Sequence, residues 1–154
     1  QYQPGEEAKN FSRYSFGAHF AEVRIDPLTH EVRVAKLVGA YAAGRIINER
    51  TARSHYVGGM VWGLGMALME HGELCPERGR VITDSLADYL VPTCPDMPTF
   101  EVVMVEEEDE RVNPIGVKGI GELGTIGTAA AITNAVFHAT GMRVRELPVI
   151  FERL

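Results

Sequence analysis

The chain has 154 residues and a formal net charge of −6, from 15 Lys and Arg against 21 Asp and Glu. Hydrophobic residues make up 45% and charged residues 23%, which excludes a disordered chain, a coiled coil and a collagen-like fibre. This length predicts one domain over residues 1–154. The chain starts Gln1-Tyr2-Gln3-Pro4, without Met or a signal-peptide pattern. We interpret this start as a cut inside a longer polypeptide, with ordinary trimming as the alternative.

The negative charge is concentrated in residues 106–110, which are all acidic. We expect a solvated turn here, because consecutive side chains cannot all point at one cation. No basic stripe interleaved with aromatic residues is present, which argues against a nucleic-acid partner. No apolar run is long enough for a membrane span. Cys75 and Cys94 lack zinc-site spacing, and a cytoplasmic location is predicted, or a periplasmic one for a full complex.

The first half of the chain predicts a hairpin and a helix. Residues 16–26 and 31–38 alternate between apolar and polar side chains, and residues 27–30 between them favour a tight turn. A helix is expected from about Thr51 to Glu70, capped by Asn48 or Thr51. Its middle is apolar nearly all round, which predicts burial on most sides.

The second half predicts an irregular excursion, a strand and a second helix. Residues 71–98 contain four prolines and no clear periodicity, and residues 100–105 form the third predicted strand. A helix is expected over residues 128–140, ended by Gly141 in the left-handed conformation. After it comes a short tail. Together these elements predict an α+β fold in which antiparallel strands pack with two main helices.

Four glycines interrupt the first helix: Gly58, Gly59, Gly63 and Gly65. Each lowers helix propensity by up to about 1 kcal/mol. They make sense if another backbone or a bulky cofactor comes close. Tight packing through small residues is the alternative with more weight.

The segment 113–127 is the most informative for function, with five glycines between Gly116 and Gly127. It leads into a helix, whose free N–H groups suit an anionic ligand, and Lys118 adds a cation. Glu122 lies among the glycines and is a candidate general base. An acidic residue that offsets the helix dipole is an equal alternative.

The same segment contains Gly119-x-Gly121-x-x-Gly124, which is literally the dinucleotide-binding pattern. The glycines do not directly follow a strand, and Glu122 would bring a negative charge close to a pyrophosphate. A non-catalytic phosphate- or dinucleotide-binding module is therefore kept as the alternative function, and an assembly domain whose glycines serve packing as a third.

Several motifs stand out in chain order: residues 16–26; residues 44–48 with Gly58-Gly59-x-x-x-Gly63-x-Gly65; residues 88–93 and 96–98; residues 116–122; and residues 143–148. Together they resemble the molybdenum-binding large subunit of the xanthine dehydrogenase/aldehyde oxidoreductase family, near its C-terminal end. The resemblance covers nearly the whole chain. It implies one lobe of a larger molybdopterin-binding domain.

The resemblance implies hydroxylation of an aldehyde or an aromatic N-heterocycle with oxygen from water. The cofactor would be a molybdenum pyranopterin, either molybdopterin or its cytosine dinucleotide form, and no protein side chain would ligate the metal. Glu122 would be the general base. The residues implied to contact the cofactor are His55, Gly58, Gly59, Lys118, Gly119 and Gly121.

Two departures from the family pattern stand out. His55 occupies the place where the family usually has a cofactor-contacting Gln, and an imidazole cannot donate and accept as an amide does. Glu122-Leu123-Gly124 replaces the common Glu-Pro and resembles the bacterial aldehyde-oxidising branch. The implied partners are the rest of the molybdenum subunit and iron–sulfur and FAD subunits or domains. We therefore expect the isolated chain to be inactive.

Overall fold

The structure, a computed structural model, describes residues 9–150. The expectations for residues 1–8 and for the end of the tail lie outside this range. The elements are β1 (Phe16–Ile25), β2 (Val32–Ala42), α1 (Glu49–Leu68), β3 (Leu74–Cys75), β4 (Arg80–Val81), β5 (Thr99–Met104) and α2 (Thr128–Thr140). The α+β prediction is confirmed. No helix in the described range is long and apolar enough to cross a membrane.

The main sheet has the order β1-β2-β5, with β2 in the centre. β1 pairs with β2 in the antiparallel sense, as predicted, but β5 pairs with β2 in parallel. The prediction of antiparallel strands is therefore confirmed for β1 and β2, whereas β5 departs from it. The physical reason is the long connection through α1 and residues 69–98, which carries the chain back to the end of the sheet where β2 starts. Most of residues 71–98 is irregular, as expected, apart from the short β3–β4 ladder and a 3₁₀ turn at Cys94–Asp96.

The hairpin turn follows from the chemistry of Asp26, whose Oδ1 accepts hydrogen bonds from the N–H groups of Leu28 and Thr29, both at 2.8 Å. The strict alternation predicted for the second strand was wrong. A bulge skips Ala35, because Glu22 pairs with Lys36 while Val23 pairs with Val34. The inward-facing positions of β2 shift accordingly, and the strand continues to Ala42 instead of ending at residue 38.

α1 begins at Glu49, slightly earlier than the expected Thr51. Asn48 caps the helix, because its Oδ1 accepts a 3.1 Å hydrogen bond from the Thr51 N–H. Burial on most sides is confirmed for the middle of α1 except along one stripe, where Trp62 is 72% exposed and Met66 47% exposed. The inner face carries Tyr56, which stacks on Tyr41 of β2 with ring centroids 4.1 Å apart. This stack joins helix and sheet in the core. Burial there raises the pKa of Tyr41 to about 12.

Two of the helix glycines, Gly59 and Gly63, allow close packing of neighbouring chain segments. For these two, the interpretation of the glycines as packing residues is confirmed. A Cβ added at Gly59 would lie 2.9 Å from the backbone of Gly124, and one added at Gly63 would collide with the side chain of Thr128. Gly58 differs, because an added Cβ would meet nothing within 4 Å. The start of α2 and the loop before it therefore pack on the buried glycines of α1, whereas Gly58 stays open.

The outer face of the sheet, opposite the helices, is apolar at one end. Phe16 and Phe20 of β1 are 63% and 60% exposed, and Val103 of β5 is also exposed. In the strand register, Ala40 of β2 lies between the exposed side chains of β1 and the exposed Val103 of β5. Large side chains on β1 and β5 thus flank smaller ones on β2.

Neighbouring glycines on α1 allow a matched test of this packing. We expect Gly59→Ala to destabilise the chain by about 1–3 kcal/mol, because the methyl group meets backbone that cannot rotate away. Gly58→Ala should stabilise it by up to about 1 kcal/mol through helix propensity. Urea midpoints of the two variants measure both effects. A shift in the same direction for both would contradict the packing described here.

Candidate functional site

The glycine-rich loop between β5 and α2 is attached to the connection between β2 and α1. Val117 forms an isolated antiparallel bridge with Gly44, and the N–H of Arg45 donates to the Gly116 carbonyl at 2.8 Å. Gly116 and Gly44 have φ angles of 71° and 66°, which favour glycine. The beginning of the loop is therefore fixed by backbone pairing.

Lys118 is anchored immediately after this bridge. Its side chain is only 4% exposed, and its Nζ lies 2.6 Å from Glu107 Oε1 and 3.0 Å from Asp109 Oδ2. The other oxygen of Glu107, Oε2, accepts the Gly44 N–H at 2.7 Å. The expected solvated turn is thus wrong for these two acidic residues, although their neighbours in the acidic run are exposed. Alternate side chains of the run turn inward to the lysine.

The electrostatics keep this cluster charged. Burial opposes the charge on Lys118, but hydrogen bonds to Glu107 and Asp109 outweigh it and raise the pKa of the lysine. Hydrogen bonding to Lys118 lowers the pKa of both carboxyl groups. The ammonium is therefore neutralised by carboxylates of the same chain. The expected use of Lys118 as a free cation for an anionic ligand does not fit this geometry.

Glu122 is exposed, and within residues 9–150 its carboxylate has no hydrogen bond or ion pair. Its backbone carbonyl accepts from the N–H groups of Thr125 and Ile126, at 2.9 Å and 3.2 Å. The residue lies more than one turn before α2 begins at Thr128. The alternative that Glu122 offsets the helix dipole is disfavoured, because that effect is confined to the first turn.

Some of the loop amides are already used inside the loop. Thr125 and Ile126 donate to Glu122, and Thr128 donates to Thr125. The expected set of free N–H groups facing an anion is therefore reduced. In addition, β5 ends at Met104, well before Gly119, and the described residues after α2, up to 150, form no strand. The strand–loop–helix–strand arrangement of a dinucleotide site is missing from the described chain.

The other predicted cofactor residues divide into open and covered positions. Gly119 and Gly121 have nothing within 4 Å of an added Cβ, like Gly58, and His55 is exposed one helical turn before Gly58. Gly59 is covered by the loop itself. Since Gly124 and Thr125 rest on Gly59, the turn that contains Glu122 lies against α1 beside the open Gly58.

Sequence reasoning missed two residues that support this loop. The Nε2 atom of His19, on β1, lies 3.0 Å from the Leu123 carbonyl oxygen. Ser15 Oγ donates to the Gly119 carbonyl at 2.7 Å. A signal for His19 was available: it occupies the face of β1 that also carries Ala21 and Val23, where a polar side chain needs a partner.

Replacing Lys118 tests the ionic anchor. We expect Lys118→Met to destabilise the protein by about 3 kcal/mol, because two inward carboxylates lose their shared cation. Lys36→Met is the control. Lys36 also lies 2.6 Å from a carboxylate, that of Glu101, but both side chains are exposed, so its loss should hardly move the urea midpoint. Equal shifts for both lysines would rule out a special role for burial.

Comparison with known proteins shows which family this chain belongs to. Residues 1–98 match the model of the molybdopterin cofactor-binding domain. The chain is 41% identical over 150 residues to the aldehyde oxidoreductase molybdenum-binding subunit PaoC of Escherichia coli, covering 97% of this chain and 20% of that protein.

Solved structures agree as well. Quinoline 2-oxidoreductase from Pseudomonas putida superposes with a TM-score of 0.81 at 31% identity, covering 89% of this chain and 18% of the other. The aldehyde oxidoreductase of Desulfovibrio desulfuricans gives a TM-score of 0.78 at 30% identity, covering 87% and 14%. The chain spans about a fifth of the length of the curated relatives it matches. With the family model and the fold in agreement, the chain belongs to the molybdopterin cofactor-binding domain family of molybdenum oxidoreductases.

Proposed function

We propose that this chain supplies the general base and part of the cofactor surface of a molybdenum hydroxylase, and that Glu122 is the base. One observation carries the proposal: the Glu122 carboxylate is exposed and without a partner in the described chain, on a turn held against α1. A carboxylate whose hydrogen-bonding capacity is unused can accept a proton from a group brought to it. The substrate would be an aldehyde or an aromatic N-heterocycle.

The surface around Glu122 fits a large, flat cofactor. Gly58, Gly119 and Gly121 present backbone without side chains, and space is open above each of them. A pyranopterin could therefore approach the main chain closely, with polar edges on peptide groups. His55, exposed one turn before Gly58, would offer a single donor or acceptor there. We assign Lys118 a supporting role, since its ammonium is held by Glu107 and Asp109.

When bound, the molybdenum cofactor would supply a redox centre that takes up two electrons from the substrate. The contribution of this chain is to hold and accept a proton at the Glu122 carboxylate. The adjacent glycines let the carboxylate come within hydrogen-bond distance of the reacting group. The anchors at Lys118 and Leu123 restrict the backbone on both sides of it.

The partners and the cell compartment are also part of the proposal. The relative PaoC is named a molybdenum-binding subunit, which supports assembly with further subunits that carry electrons away, such as iron–sulfur and FAD subunits. We also infer that residues 1–154 form one domain and that the working location is cytoplasmic.

Glu122→Gln in the complete molybdenum enzyme tests the assignment. We expect kcat to fall by about 10²–10⁴-fold, the usual contribution of a general base. Molybdenum content should stay at the wild-type level, because the amide has the shape of the carboxylate and no described contact is lost. Glu106→Gln is the control and should be fully active, because Glu106 is exposed and precedes the glycine-rich residues 113–127.

The alternatives predict different results for the same variant. Loss of affinity for a phosphate or dinucleotide ligand, without any catalytic role, would support the binding module. Wild-type activity and wild-type ligand binding would leave the loop with a packing role only.

The isolated chain gives a further test. Residues 1–154 alone should show no turnover and should not retain the cofactor, because they supply one part of its surface. Stoichiometric molybdenum, measured by elemental analysis, or hydroxylase activity of the purified 154-residue chain would contradict this prediction.

A further inference from the structure

His19 is a polar residue on the inward face of β1, and both of its ring nitrogens have partners. Nε2 lies 3.0 Å from the carbonyl oxygen of Leu123, and Nδ1 lies 3.1 Å from the hydroxyl oxygen of Thr128. A carbonyl oxygen can only accept, so Nε2 must carry a proton and donate it. Burial lowers the pKa of His19 despite the hydrogen bond to Leu123, which favours the neutral ring. The Thr128 hydroxyl has one proton and two acceptors within reach, Nδ1 at 3.1 Å and the Gly124 carbonyl oxygen at 2.9 Å.

The ring is also fixed by packing. A Cβ added at Gly127 would collide with the imidazole, so the loop backbone lies directly on the ring. On its other side, Tyr41 contacts it edge-on, with centroids 5.3 Å apart and planes at 72°. The hydrogen bond to Leu123 therefore starts from a side chain that has little freedom to move.

This hydrogen bond acts on the residue next to Glu122. The Leu123 side chain is 8% exposed and belongs to the core, whereas the Glu122 carboxylate has no contact of its own in residues 9–150. The position of the carboxylate is therefore set by the backbone around it. The Glu122 carbonyl holds the turn internally by accepting from Thr125 and Ile126, and the hydrogen bond from His19 to Leu123 ties that turn to β1.

We propose that His19 is a positioning residue for Glu122: by holding the Leu123 carbonyl, it fixes the turn that presents the carboxylate. This inference rests on the proposed function of Glu122. His19 touches the loop backbone and acts on the reaction only through it. Loss of its hydrogen bonds should let the turn move, and a displacement of about 1 Å at a reacting group can lower the rate by about 10²-fold.

His19→Phe in the complete molybdenum enzyme is the direct test, because it keeps a ring against Gly127 and Tyr41 but removes both hydrogen bonds. We expect kcat to fall by about ten- to a hundredfold, with KM and molybdenum content unchanged. His19→Gln should recover most of the rate, since its amide nitrogen can donate to Leu123. His138→Phe is the matched control, because His138 is exposed on α2 and its loss should change nothing.

Hydrogen–deuterium exchange supplies a readout that does not depend on turnover. In His19→Phe, a peptide covering residues 119–127 should exchange faster than in the wild type, while peptides within α2 exchange as before. In His138→Phe both should match the wild type. Unchanged exchange of residues 119–127 in His19→Phe would overturn the proposal, as would faster exchange with a wild-type kcat.

Double variants separate this inference from the proposed function. His19→Phe combined with Glu122→Gln should be no slower than Glu122→Gln alone, because a turn without its base has nothing to position. Full activity of Glu122→Gln alone would defeat the proposed function and this inference with it. An inactive Glu122→Gln together with a fully active His19→Phe would defeat only this inference.

If His19→Phe does not fold, Thr128→Val takes its place. It keeps the shape of the threonine and removes the hydroxyl, which lies beside Nδ1 and also donates to the Gly124 carbonyl oxygen at 2.9 Å. We expect a smaller fall in kcat in the same direction and faster exchange of residues 119–127. Wild-type values of both would count against the proposal.

Discussion

The loop that carries Glu122 lies against α1 only because two backbones meet there without an intervening side chain. Gly59 of the helix faces Gly124 of the loop, and the Tyr56 carbonyl occupies the place that a side chain at Gly124 would need. One turn further on, Gly63 receives Thr128 at the start of α2. The two glycine clusters of the sequence are therefore one structural unit. A methyl group at either side of the contact would separate the loop from the helix that supports it.

The ionic cluster fixes the other end of the loop by different physics. Burying three charged groups is costly, and well-packed apolar side chains often stabilise a protein as much. A lysine that must meet two carboxylates at once, however, is satisfied in one register only. Lys118 therefore ties the segment after β5 to the loop in a defined alignment, and Glu107 extends this tie to the Gly44 turn.

Local patterns predicted most of the elements, because hydrophobic periodicity and caps act over a few residues. α2 was predicted with its bounds, and the hairpin and α1 nearly so. Pairing between distant segments left no such pattern. The parallel alignment of β5 and the bulge at Ala35 depend on how residues far apart in sequence meet.

Within the candidate site, Glu122 and the two open glycines of its loop could be proposed from the motif alone. The contacts of Lys118 could not be predicted, because spacing along the chain does not show that Glu107 and Asp109 both turn toward its side chain in the fold. The sequence also offered two explanations for the helix glycines. Only the positions of Gly124 and Thr128 in space separate Gly59 and Gly63, which pack, from Gly58, which stays open.

The apolar outer face of the sheet affects how this chain behaves by itself in solution. Phe16 and Phe20 are exposed on β1, and in the described chain both β1 and β5 are edge strands with unpaired backbone groups. An apolar surface bordered by free strand edges favours self-association. The melting temperature and scattering of the purified chain will therefore depend on its concentration, and dilute conditions will report its intrinsic stability best.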